Sequence, residues 1–184
     1  FKIDVNSRIS LSNNDGNTEN TVFGYHALTN AGTVLGNVGA DGNIAIGHLA
    51  MGTGTTTDAI RNVAVGYKAL EDITSGDSNI GVGWQTGPNI TIGQANTAVG
   101  EQALFTEAIG NTTTAIGYQT MYTQASDGDN EVTGNTGVGN QAGYYNVTGT
   151  NNTWVGYHAG FGASGQSNSN NTGVGKDALL AITS

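Results

Sequence analysis

Any chemistry in this chain would have to come from carboxylates, aromatic rings and three histidines. Cysteine is absent, and with it disulfides, thiolate metal sites and a cysteine nucleophile. Three carboxylates crowd into Asp127-Gly128-Asp129-Asn130-Glu131, an oxygen-rich loop of the kind a hard cation prefers. The spacing is not that of an EF-hand, and the glycine-rich calcium nonapeptide does not occur. A solvated acidic loop is the simpler reading, so no metal and no other cofactor is expected. His26, His48 and His158 sit in separate repeats and cannot share one ion within a chain. Glycoside hydrolysis needs two carboxyls about 5 to 10 Å apart in a cleft, whereas the acids here scatter over loops and nonrepeating positions. There is no Gly-x-Ser-x-Gly elbow, P-loop or zinc signature. The chain reads as a non-enzyme with no catalytic residue.

The aromatic rings are more orderly. Tyr25, His48, Tyr67, Trp84, Glu101, Tyr118, Asn140, Tyr157 and Lys176 each stand directly after a glycine. Rings in a column either stack on sugar rings or cover a corner or a seam between subunits. Tyr67, Trp84, Tyr118 and Tyr157, with Tyr122, Tyr144, Tyr145, Phe161 and the loop acids Asp127 and Asp129, form the candidate set for receptor contact.

What positions these residues is a repeat. Asn96-Thr97-Ala98-Val99-Gly100-Glu101-Gln102-Ala103-Leu104 has eight imperfect copies, beginning at Asn20, Asn43, Asn62, Asn79, Thr113, Asn135, Asn152 and Asn171. The fifth position is always glycine: Gly24, Gly47, Gly66, Gly83, Gly100, Gly117, Gly139, Gly156 and Gly175. Successive spacings of 23, 19, 17, 17, 17, 22, 17 and 19 define a basic period of 17 with insertions. A second glycine follows ten residues later at Gly76, Gly93, Gly110 and Gly149. Two glycines per period suggest a coil that turns twice, through positive φ or close backbone approach.

Between the glycines, the second and fourth positions carry Thr, Val, Ile or Phe around a third that is mostly Ala or Gly. That is the alternation of a short strand, and a helix would suffer from its regular glycines. Short strands and turns at a fixed period predict an all-β parallel β-solenoid, or β-roll, of about nine 17-residue rungs. At the strand spacing of about 4.8 Å it would be a rod roughly 43 Å long. The fourth-position residues and the alanines of the eighth position (Ala27, Ala50, Ala69, Ala103, Ala142, Ala159, Ala178) are expected inside. The recurrent first-position Asn is expected to form an amide ladder at the corner.

Residues 1–19 read as capping strands over the open end, and 20–184 as the repeat domain. The insertions Thr29–Gly42, Met51–Arg61, Tyr122–Gly134 and Gly162–Asn170 would loop out from the stack. Trp154 stands where other repeats have mostly Ala or Gly, which would widen an interface locally.

Bulk properties agree. With 36% hydrophobic and 10% charged residues, 30 glycines and one proline, the chain is too poor in large apolar groups for an ordinary core. A formal net charge of -9 argues against nucleic acid and anionic membrane surfaces. No apolar run is long enough for membrane insertion. The chain opens on Phe1 and shows no signal peptide, so an excised fragment is expected. One narrow coil buries little apolar surface against the ordering cost of each rung. Its flat small-residue face would therefore pack against copies of itself, giving a homotrimer.

Repeats such as Asn62-Val-Ala-Val-Gly-Tyr-Lys-Ala-Leu70 and Asn96-Thr-Ala-Val-Gly-Glu-Gln-Ala-Leu104 resemble the β-roll head repeats of trimeric autotransporter adhesins. They are still more similar to the Asn-Thr-Ala-Val-Gly-Tyr-x-Ala-Leu repeats of bacteriophage tail fibres, and Ser7–Asn14 looks like the entry to such a region. The match covers about residues 20 to 179. The resemblance implies a structural, trimeric shaft or tip in a virion tail fibre, which attaches to a glycan or protein receptor on a bacterial surface. The alternative is the head of a trimeric adhesin on a bacterial cell surface. A fibre depolymerase is a minor alternative. So is an ice-binding solenoid, set aside because the threonines of position two would share a face with the inward column and be hidden.

Overall fold

The computed structural model describes residues 8–10, 19–28, 39–129, 131–165 and 167–182. Glycine-punctuated β-branched triplets give ten strands and no helix among these residues. β1 (Arg8–Ser10) runs antiparallel to β2 (Thr21–Gly24) and caps the ladder. Residues 1–7 and 11–18 of the capping segment and residues 29–38 of the first insertion lie outside the described residues.

From β2 onward the strands stack parallel in chain order: β3 (Ile44–Ile46), β4 (Val63–Val65), β5 (Ile80–Val82), β6 (Thr97–Val99), β7 (Thr114–Ile116), β8 (Thr136–Val138), β9 (Thr153–Val155) and β10 (Thr172–Val174). Register is strict, with like repeat positions opposite each other: Val63 faces Ile80, and Ile80 faces Thr97. The protein is thus an all-β parallel solenoid, one strand to each repeat.

The two glycine series serve different ends. Corner glycines have φ from 117° (Gly175) to 140° (Gly83), where side chains are rarely tolerated. A Cβ on Gly100 would also lie 2.5 Å from the Gly117 carbonyl oxygen in the next rung. The later series needs closeness alone: a Cβ on Gly93, whose φ is ordinary, would lie 2.5 Å from the Gly110 carbonyl oxygen. Between them the chain reverses through paired left-handed residues, such as Gln102 (φ 54°) and Leu104 (φ 54°) around buried Ala103. Each costs about 1 to 2 kcal/mol.

The interior is the opposite of the sequence expectation. The third position is buried, with Ala45, Ala64, Ala98 and Ala115 at 0% exposure. The fourth-position residues Phe23, Ile46, Val65, Val82, Val99, Ile116, Val138, Val155 and Val174 point outward, from half-buried Val99 to Val174 at 67% exposure. Space decides this. The limbs of a 17-residue coil lie so close that a Cβ on Gly81 would come 2.8 Å from Leu70 Cγ across it. The flat small-residue face therefore lines the coil and is not free to meet sister chains. The eighth-position alanines are buried as expected, Ala178 only partly.

Trp154 likewise points inward, 1% exposed, and widens no interface. It fits because the ninth position, Leu or Met in most repeats, is Gly143 and Gly160 beside it. A Cβ on Gly143 would meet its Cε3 at 2.5 Å.

The amide ladder forms, and it runs inside. Asn96 donates its backbone N–H and its Nδ2 to Asn79 Oδ1 (3.0 and 3.1 Å). The same Nδ2 donates across the coil to the Gly110 carbonyl (2.8 Å). Asn62, Asn79 and Asn152 repeat the pattern, so each buried amide satisfies backbone groups that no strand partner reaches. Thr113 interrupts it: its hydroxyl pairs with Thr133 (2.5 Å), and Asn135 turns its amide to Gln124 and the Gly149 carbonyl.

Candidate functional site

Because position three faces inward, positions two and four of every repeat stand on one outer sheet face. Thr21, Ile44, Val63, Ile80, Thr97, Thr114, Thr136, Thr153 and Thr172 form one column. The residues from Phe23 to Val174 named above form the other. None of these side chains is charged. The threonines, expected to share the inward face, stand on the outer one, half-buried in β6 to β9 and exposed in β10, and they fill these five consecutive strands.

The position-six column is exposed along its length, as the corner geometry dictates. Tyr25 meets His48 at 5.2 Å, His48 meets Tyr67 at 5.3 Å, and Tyr67 stacks on Trp84 at 6.1 Å and 12°. Glu101 and Asn140 then break the run. Tyr118 stands alone at 41% exposure, and Tyr157 stacks on His158 instead, at 3.8 Å, with Lys176 Nζ 5.9 Å above it.

A second column lies at position ten. Phe105, Tyr122, Tyr144 and Phe161 stack face to face at 4.9, 5.2 and 5.3 Å, with planes 5°, 4° and 20° apart. Phe105 was missing from the candidate set, although its place in the repeat gave the signal. Tyr145 lies across the stack, near-perpendicular to Tyr144 (4.7 Å, 81°) and Phe161 (5.1 Å, 82°). Phe161 also meets His158 at 4.8 Å, which joins the two columns into one aromatic surface. Burial, and then the neighbouring phenols Tyr122, Tyr145 and Tyr118, push the Tyr144 hydroxyl above its usual range.

Between the columns runs a polar ladder with no counterpart in the sequence reading. Gln119 Nε2 donates to Gln102 Oε1 (2.9 Å), Gln141 Nε2 to Gln119 Oε1 (2.9 Å), and His158 Nε2 to Gln141 Oε1 (2.8 Å). Asp177 Oδ1 lies 3.7 Å from His158 Nδ1 at the end of it. Glu107 was also unmarked in the sequence. It occupies the buried column of Ile73 and Ile90, and its Oε1 accepts the N–H groups of Ala108, Ile109 and Gly110 (3.0, 3.1 and 2.8 Å). Ser126 Oγ donates to Oε2 (3.0 Å), so Glu107 is a fastener rather than an acid poised for chemistry.

Asp127 and Asp129 are exposed in their loop. Among the described residues no group of three or more His, Asp or Glu is placed to hold a metal ion. No helix among them is long and apolar enough to cross a membrane.

The chain matches no family model, no curated protein and no solved structure. Its functional reading rests on its own residues.

Proposed function

We propose that this chain is a segment of a trimeric attachment fibre of the phage tail-fibre kind, a stiff rod that presents its side surfaces to a bacterial receptor. One observation carries the reading: two uncharged, mostly β-branched columns, half-buried to exposed, line the outer face of a nine-stranded parallel sheet, on a chain of formal net charge -9. Such a face, with Phe23 51%, Ile80 39% and Val174 67% exposed, calls for a cover. A sister chain has the same rung spacing and can match it rung for rung. The assembly then shows every aromatic column and loop three times, and weak contacts gain through effective concentration.

Sedimentation equilibrium tests this directly. The expected mass is three chains, and Val99→Asp, which puts a charge in the face, should yield single chains. A wild-type chain that remains single at micromolar concentration would end the proposal. Because cysteine is absent, a Val99→Cys variant adds a clean second readout: in-register disulfide-linked pairs.

A second reading is favoured by the displayed threonines. Rigid β-branched hydroxyl and methyl groups on five successive strands form a regular flat array that could order water as ice does. Thermal hysteresis in a single-chain preparation tests it, and a value no greater than that of an unrelated protein removes it.

A further inference from the structure

The two ends of the ladder differ. Along β2 lies an antiparallel strand, β1, whereas β10 is paired among the described residues on one side alone, to β9. Steps inside the coil show what the other side of β10 lacks. Between β5 and β6 the Ile80 N–H donates to the Asn96 carbonyl (2.8 Å), and the Gly100 and Gln102 N–H groups donate back to the Val82 and Trp84 carbonyls (2.8 and 2.9 Å). Asn96 donates twice to Asn79 Oδ1 in the same step. The like groups of β10 and its winding are the Thr172 N–H, the Val174 and Lys176 carbonyls and Asn171 Oδ1. None of them meets such a partner among the described residues. Apolar surface is open at the same place: Leu179 is 39% exposed, whereas Leu104 in the same repeat position is 0%. A Cβ on Gly175 would have nothing within 4 Å, whereas one on Gly100 meets the next winding at 2.5 Å. An unpaired edge beside apolar surface is a template for strand addition.

Those groups also specify the strand. It runs parallel, brings an Asn amide to Asn171, and turns at a glycine so that the next N–H groups reach Val174 and Lys176. Asn20-Thr21-Val22-Phe23-Gly24-Tyr25-His26-Ala27-Leu28 has that form, and Gly24 already holds the corner φ of 137°. Asn20 is set for the ladder as well. Its Oδ1 accepts the Asn43 N–H (2.7 Å) and its Nδ2 donates to the Ala40 carbonyl (2.7 Å), as Asn96 does with Thr113 and Gly110. Windings between the two ends have both sides occupied. Within one copy β2 lies eight strand spacings from β10, about 38 Å, so a second copy must bring it there.

We propose that the open side of the winding 171–180 is a docking site for the winding 20–28 of a second copy, with β1 as a removable cap that holds copies apart. Docking exchanges the three-residue pairing of β1 for a whole winding of parallel contact. The contact is head-to-tail and does not close on itself, so it extends the coil by about 43 Å per copy. It needs neither a receptor nor the outer-face assembly, and goes beyond the attachment reading.

Because the chain has no cysteine, the joint can be trapped. At the joint Thr172 of one copy stands beside Thr21 of the next at about 4.8 Å, a Cα separation that a disulfide spans. Both threonines are exposed. Full-length Thr21→Cys and Thr172→Cys are mixed and oxidised, and the mixed link is measured by mass spectrometry. Sister chains side by side in register keep these positions eight windings apart, so the link reports the end joint. Its yield should exceed that of Thr21→Cys mixed with Ile80→Cys, an exposed position in mid-coil. It should rise about fivefold, the scale of one lost hydrogen bond, when both proteins also carry Ile9→Pro and Ser10→Pro. Bonded and non-bonded residues alternate along an antiparallel pair, so one of the two prolines removes a β1–β2 bond. In sedimentation the proline variant without cysteine should grow with concentration, and adding Leu179→Lys, which puts a charge where the incoming winding is dry, should return it to the wild-type mass. Circular dichroism checks each fold, and the cysteine pair with β1 intact, at raised concentration, decides the matter if the prolines disturb it. A mixed link no more abundant than the mid-coil control, or growth that survives Leu179→Lys, would overturn the docking site. A yield unchanged by the prolines in a folded chain would overturn β1 as its cap.

Discussion

Trp154 and the glycines beside it give the sharpest check on how this coil is packed. The indole is 1% exposed, wedged where other repeats put a Leu or Met from the ninth position against an Ala or Gly at the third. Trp154→Ala should cost about 3 to 5 kcal/mol for the lost contacts and the cavity. Some of that returns, because the indole N–H has no hydrogen-bond partner among the described residues. Gly160→Leu alone should also destabilise, since its Cβ falls on the indole ring, at about 1 to 3 kcal/mol for overpacking plus about 1 to 2 for a left-handed non-glycine residue. Together the two changes recreate the packing of Ala98 with Leu104, and leucine already tolerates this backbone at Leu104 (φ 54°). The double variant should therefore be more stable than the sum of its parts by at least about 2 kcal/mol. In thermal melts that is several degrees for a chain of this size. A double-mutant cycle in urea reads the coupling, and additivity within about 0.5 kcal/mol would refute the claim that one side chain's volume is exchanged for the other's.

Three further outcomes follow from the same geometry. Asn79→Ala should leave the Asn96 N–H and the Gly93 carbonyl unpaired inside the coil, at about 1 to 3 kcal/mol each, seen as a lower urea midpoint than for Asn89→Ala on the surface. Gly100→Ala should abolish the folded state or lower its melting temperature steeply, because φ is 126° and the next rung's carbonyl is in the way. Gly128→Ala, with nothing within 4 Å, should melt like wild type. Stability should fall as pH rises above about 10: a phenol whose folded pKa is raised contributes below its unfolded value, and that contribution is lost as pH rises through the folded one. Tyr144→Phe should lessen the alkaline fall in urea midpoint, and an unchanged profile would count against burial as the cause.

Much of this was legible before any coordinates. Nine repeats with glycine at the fifth position, eight of them opening on Asn, recur on a basic period of 17 and fix the number of parallel strands and their stacking, because only a coil returns a 17-residue period to the same place with no helix between. The corner glycines and the asparagine ladder were readable for a similar reason: each answers a local backbone need that recurs at every winding. The left-handed pairs at positions seven and nine were not, since Gln102, Leu104 and Lys68 carry no mark of positive φ. Nor was the burial of Glu107, whose carboxylate is held by the local N–H of Gly110 and by Ser126 from the next winding.

The deepest gap between sequence and structure is the choice of face. Thr97-Ala98-Val99 states by its alternation that one side of the strand is small and the other large, and nothing in a period of two says which side turns inward. The larger residues usually fill a core. Here the cross-section of a 17-residue winding sets the answer, because the limbs approach so closely that position three, opposite Leu or Met of position nine, is Ala or Gly in most repeats, and Trp154 enters only where position nine is glycine. The repeat determined that there would be a coil, and the width of that coil decided that its apolar columns would face outward.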